Sequence, residues 1–165
     1  MTFAPRTWGA GEIVSAAQLN QEIRDQLNSM FDAWTSWTPT WTAVTTNPSL
    51  GNGTLNGRYM KWGRTCMISL ELTCGSTTTY GAGAWSFSLP FGSATGVGHK
   101  VGLAHAVGSI RVAGHTLIAP NAPNFQCFFP ASGSVSNLNN AGAANPFTWA
   151  ATNLLRVTLT YETAT

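Results

Sequence analysis

At 165 residues the chain has a one-domain length, long enough to bury a real core. Charged residues make up 8% of it, against roughly 25% in an ordinary soluble protein; hydrophobics reach 44%, which excludes a disordered chain and suits a permanently assembled protein better than a free monomer. The net charge of +2 hides a split between an acidic first 32 residues (Glu12, Glu22, Asp25 and Asp32 against Arg6 and Arg24) and a basic remainder (Glu71 and Glu162 against Arg58, Lys61, Arg64, Lys100, Arg111 and Arg156); the scattered bases form no stripe, which argues against nucleic acid as a partner.

Residues 1–14 read as an irregular arm, because Pro5, Gly9 and Gly11 interrupt regular structure. Ser15 is a good helix N-cap, and Gln18 three residues later completes a capping box. The pattern predicts a helix running from there to about Trp34, within a segment 15–36 that precedes the Pro39 break. Ile13, Ala16, Asn20, Ile23, Leu27, Met30 and Trp34 step alternately by three and four, an a/d heptad register. An ordinary amphipathic helix packed on its own head shows nearly the same stripe. Two features favour a seam between chains: Asn20 stands at an a position, where a buried Asn fixes register, and the neighbouring positions are polar. Three heptads would be marginal alone.

From Trp37 the period changes to two, and the remainder, 37–165, reads as a head of about eight short strands. Trp37, Pro39, Trp41 and Ala43 share one parity. Gly63-Arg64 marks a hairpin between GRYMKW and TCMISLELTC, where Cys66, Ile68, Leu70, Leu72 and Cys74 alternate with Met67, Ser69, Glu71 and Thr73. AWSFSLP, HKVGLAHAV, SIRV, HTLIA and NFQCFF follow as strands. A long loop is expected over 131–146, and LLRVTLTYE closes the set with Leu155, Val157, Leu159 and Tyr161 on one face. Strand number and spacing predict a mainly β protein: an arm, a short coiled-coil-like helix and a jelly-roll-type β-sandwich head.

Catalytic chemistry finds little to use. Glu71 and Glu162, the head's only carboxylates, lie on the outward parity of their strands, where a glycosidase would need two acids about 5–10 Å apart across a cleft. His99, His105 and His115 lack metal-motif spacing, and Cys66, Cys74 and Cys127 read as reduced core thiols. No catalytic residue, metal or cofactor is expected. A glycan-degrading head is the alternative reading. Loops 75–83 and 131–153 hold Tyr80, Asn139, Asn140 and Trp149, aromatic faces and amides suited to a neutral sugar; the competing reading has Phe147 and Trp149 turned inward as core. With no signal pattern and no apolar run near ~18–20 residues, folding in the cytoplasm without membrane insertion is expected.

TWGAGEIVSAAQLNQEIRDQLN (7–28), AWTSWTPTWTAVTTNPSLGNGTLNGRYMKWGR (33–64), GSTTTYGAGAWSFSLP (75–90) and PFTWAATNLLRVTLTYE (146–162) together resemble minor tail or tail-fibre-like proteins of phages infecting Actinobacteria. The resemblance covers nearly the whole chain, in turn-and-strand motifs that carry no catalytic signature. It implies a virion structural protein on the tail or the head surface, often trimeric, and attachment to other virion proteins through the arm; the heptad seam from Ile13 to Trp34 is the expected contact of a homotrimer. Phe3, Pro5 and Trp8 are the candidate attachment residues, and a host cell-surface glycan is a candidate ligand of the loops.

Overall fold

The computed structural model describes residues 7–96, 98–131 and 134–164. The protein is mainly β: a short N-terminal helical segment leads into a curled antiparallel sheet that forms a half-barrel, jelly-roll-like head.

The helical segment has three parts, α1 (Ala16–Leu19), a π turn (Asn20–Arg24) and α2 (Asp25–Ser29). Its start follows from the capping box: the Ser15 backbone N–H donates to Gln18 Oε1 (2.8 Å) and the Gln18 N–H to Ser15 Oγ (3.3 Å). The helix ends earlier than its apolar stripe predicts. Met30 is the C-cap, and Trp34 lies in irregular chain. Ile13 precedes the N-cap and is 92% exposed. The π turn also ends the single heptad register, because one extra residue in a turn rotates everything beyond it by ~100°. Leu19 replaces Asn20 in line with Ile23, Leu27 and Met30.

Among the described residues ten strands follow: β1 (Thr35–Trp37), β2 (Trp41–Ala43), β3 (Thr54–Trp62), β4 (Thr65–Thr73), β5 (Trp85–Ser88), β6 (Lys100–Val107), β7 (Arg111–Ile118), β8 (Asn124–Ala131), β9 (Ser134–Asn140) and β10 (Leu154–Glu162). Thr35 and Ser36 thus belong to the sheet, not the helix. The strand expected over 37–43 is two short strands broken at Pro39, which cannot donate to a ladder. SIRV and HTLIA form one strand, β7, and the loop expected over 131–146 contains β9.

The sheet runs β1-β3-β4-β10-β6-β7-β8-β5-β2, with β9 on β8. Its two ends, β1 and β2, are joined by only residues 38–40. Laid flat, nine strands would put those ends ~38 Å apart, whereas the connection can span only ~14 Å. The sheet must therefore curl, and the curl encloses the core.

Alternation fills that core as the sequence predicts. Cys66, Ile68, Leu70, Leu72 and Cys74 of β4 and its end, and Leu155, Val157, Leu159 and Tyr161 of β10, are all buried. They face Trp41, Trp85, Phe87, Phe125 and Phe129 from the opposite limb. Register along the central strands is unbroken, from Thr54↔Thr73↔Leu154 at one end to Trp62↔Thr65↔Glu162 at the other. β1 reaches β3 from the second of these ends, since Thr35 pairs with Tyr59 and Trp37 with Gly57. The segments 44–53, 74–84, 108–110 and 141–153 all gather at the first.

Candidate interaction sites

The two head carboxylates stand on the outer face, and each has an arginine. Glu71 Oε2 accepts from Arg156 Nε at 2.6 Å, and Glu162 pairs with Arg64 at 3.2 Å. Glu162 is in register with Thr65, six residues along β4 from Glu71. At 3.3 Å per residue that is ~20 Å, about twice the widest separation of a glycosidase acid pair. Among the described residues no three His, Cys, Asp or Glu cluster to hold a metal. The three thiols are buried in the core, and burial, the largest cause in each, raises their pKa values.

The proposed sugar-facing residues separate into two groups. Trp149 is 3% exposed and belongs to the core. Its ring packs on Trp85 (centroids 5.1 Å) and Phe147 (4.9 Å), and its Nε1 donates to the Asn145 carbonyl at 3.3 Å. Packing on Trp85 turns the ring inward, so it offers no face to a ligand. Tyr80 is half-buried, stacked at 6.5 Å on Trp85, whose Nε1 donates to the Tyr80 carbonyl at 3.0 Å. Burial, with Cys74 beside it, pushes the Tyr80 phenol up to about 12. Asn139 is exposed and Asn140 half-buried on β9; Asn145 Nδ2 donates to both their carbonyls (3.1 and 3.0 Å). Thus Tyr80 and the two asparagines remain at the surface and Trp149 does not.

The end of the head that carries these loops has no Asp, Glu, Lys, Arg or His in 44–53, 74–84, 108–110 or 141–153. Its polar groups are spent on one another. Asn52 Oδ1 accepts from the Thr77 N–H and hydroxyl (both 2.9 Å), Asn52 Nδ2 donates to Ser76 Oγ (3.0 Å), and Thr78 Oγ1 donates to the Leu50 carbonyl (2.6 Å). Gly108 leaves room for the Phe147 ring, which a Cβ there would approach to 2.7 Å. The result is a braced, uncharged end-face.

A second surface was not found by sequence reasoning. On β6 and β7 the parity is inverted: Gly102, Ala104, Ala106 and Gly114 face inward, while Val101 (61% exposed), Leu103 (66%) and His115 face out. The reason is space. A Cβ on Gly102 would lie 2.8 Å from the Leu159 side chain, and one on Gly114 would run into the Phe129 ring. With Leu117, Phe128 and Leu138, the outer residues form an apolar patch across β6, β7, β8 and β9. It contains a hollow of about 390 Å³ lined by Val101, His115, Leu117, Phe128 and Leu138, and a second of about 310 Å³ beside Leu103, His105, Ala113 and Arg156. The signal was present in V-G-L-A-H-A, where all the small residues share one parity.

The helical segment is the third surface. Its substantial contacts are within itself, none of its described residues is buried, and Leu19, Ile23, Leu27 and Met30 are about half exposed. Trp8 is 40% exposed; Phe3 and Pro5 lie outside the described residues.

No family model matches the chain, and no solved structure does. It is 35% identical over 120 residues to the Mu-like prophage FluMu defective tail fiber protein of Haemophilus influenzae. That match takes in 70% of this chain and 18% of that protein. The chain is thus similar to a part of a phage tail-fibre protein, and spans less than a fifth of that protein's length.

Proposed function

We propose that the chain is a non-catalytic virion structural module, a homotrimer attached through its N-terminal arm, with the uncharged end-face turned outward. The similarity to a tail-fibre protein carries this reading. Topology supports the orientation: the arm and helix enter from the end of the head opposite the loops 44–53, 74–84, 108–110 and 141–153. An exposed apolar stripe on the helix supports self-association, since a monomer would leave it in water. Tail tip, tail fibre and head fibre or decoration all accommodate such a module on the virion surface. The resemblance of residues 7–28 and 33–64 supports an actinobacterial host, and folding in the host cytoplasm before assembly accompanies it.

The outward face offers Tyr80, Asn139 and Asn140 to a host-surface glycan, by aromatic contact and amide hydrogen bonds without charge. The head acids favour no hydrolytic reading, because each is in an ion pair and they stand ~20 Å apart.

Light scattering on the purified protein, and particles assembled with a chain lacking residues 1–14, test the proposal together. A trimer in solution and loss of the truncated chain from purified virions are expected. A stable monomer at micromolar concentration, or truncated chain retained on virions, would overturn the corresponding half.

A further inference from the structure

Two apolar surfaces have no cover among the described residues, and they fit each other. We infer that the helical segment of one copy docks on the outer face of β6–β8 of the next, a contact that rests on the self-association proposed above. The dimensions agree. The apolar patch from Leu103 on β6 to Leu138 on β9 is three strand spacings wide, ~14 Å, close to the ~10–12 Å diameter of a helix with its side chains. Residues 16–29 make a rod of ~21 Å and the eight-residue strands β6 and β7 run ~26 Å. The stripe of Leu19, Ile23, Leu27 and Met30 supplies ridges, and the hollows beside Leu103 and Leu138 supply places for them.

Charge selects a second copy as the occupant. Residues 7–32 carry four acids against the single base Arg24. The outer face of the head carries Arg58 and Arg111 beyond the two arginines, Arg64 and Arg156, that already hold its two acids. An acidic helix therefore meets a basic face when it crosses to another copy, which adds attraction and orientation to apolar burial. The π turn bears on the alternative, a bundle in which the helices pair with one another: it interrupts the single heptad seam such a bundle needs. Helix-on-face contact is heterologous, and heterologous contacts generate a closed ring when the rotation closes. A ring of three satisfies each helix and each face once.

Engineered cysteines test the contact. Leu27 (53% exposed) and Leu103 are surface positions, so substitution leaves the fold intact, and the three native thiols are buried. Chains carrying Leu27→Cys and Leu103→Cys, differently tagged, are co-expressed, mildly oxidised and run without reductant beside each variant alone. The inference expects mixed-tag disulfide dimers several-fold above either single variant. Dimers formed equally well by Leu27→Cys alone would show helix pairing with helix, which overturns the docking and leaves self-association standing. An oligomer without cross-links in any sample has the same meaning. A monomer by light scattering with no cross-links overturns both.

Discussion

Trp85 holds together segments that are far apart in the chain. Its ring meets Trp41 edge-on at 4.8 Å, packs on Trp149 at 5.1 Å, and stacks on Tyr80, whose carbonyl takes its indole proton. Loss of one member leaves a cavity that the braced loops cannot close. Trp149→Ala is therefore expected to lower stability by about 3–5 kcal/mol, read as a reduced urea midpoint at unchanged slope. The buried thiols and phenols lead to a pH prediction. Burial raises Cys66, Cys74, Cys127 and Tyr161, as well as Tyr80, so the native state keeps protons that the unfolded chain releases. Where the native state binds more protons, stability falls as pH rises. The contribution is complete below the ordinary thiol value near 8.5 and is lost progressively above it, further as unfolded tyrosines ionise near 10. Melting temperature followed by circular dichroism should hold to about pH 8 and drop toward pH 11; a flat profile would show that these groups ionise alike in both states.

The helical segment and the central strands differ in what keeps them formed. β4 is paired along its whole length on both sides, to β3 and β10, and buries every second side chain. The helical segment has its capping box and internal hydrogen bonds, but its substantial contacts among the described residues are within itself, and a helix this short is marginal in water without a packing partner. In dilute protein the amides of 16–29 should exchange with solvent far faster than those of β4 and β10. Protection of 16–29 should then rise with protein concentration as copies associate. Hydrogen exchange read by mass spectrometry measures both, and protection independent of concentration would place the helix's support elsewhere. The π turn matters here because its rotation decides which leucines align, substituting Leu19 for Asn20.

At the scale of the molecule, antiparallel pairing sorts the loops. Attachment and recognition would lie at opposite ends, since every second connection falls at the same end and β1 enters from the other. Phage carrying Tyr80→Ala with Asn139→Ala and Asn140→Ala should assemble normally and adsorb at least tenfold less to host cells. Normal adsorption by such particles would remove the end-face from receptor binding. Trp149 is left out of that set because its ring is core, and changing it would confound adsorption with folding.

Alternating parity was enough to read β4, β5 and β10, the inward set from Cys66 to Cys74, and the outward glutamates, because each depends only on neighbours along one strand. The capping box at Ser15 was legible for the same local reason. Three features were not. The division of Trp37–Ala43 between the two ends of the sheet follows from closure of the curl over residues 38–40. The burial of Trp149 beside a half-buried Tyr80 depends on how the loop 141–153 packs on Trp85, a contact between residues distant in sequence. The apolar outer face of β6–β8 arose because rings from β8 and Leu159 of β10 already fill the space inside, forcing glycine and alanine inward and Val101 and Leu103 out. Periodicity says which residues share a face; only packing across the core decides which face has room.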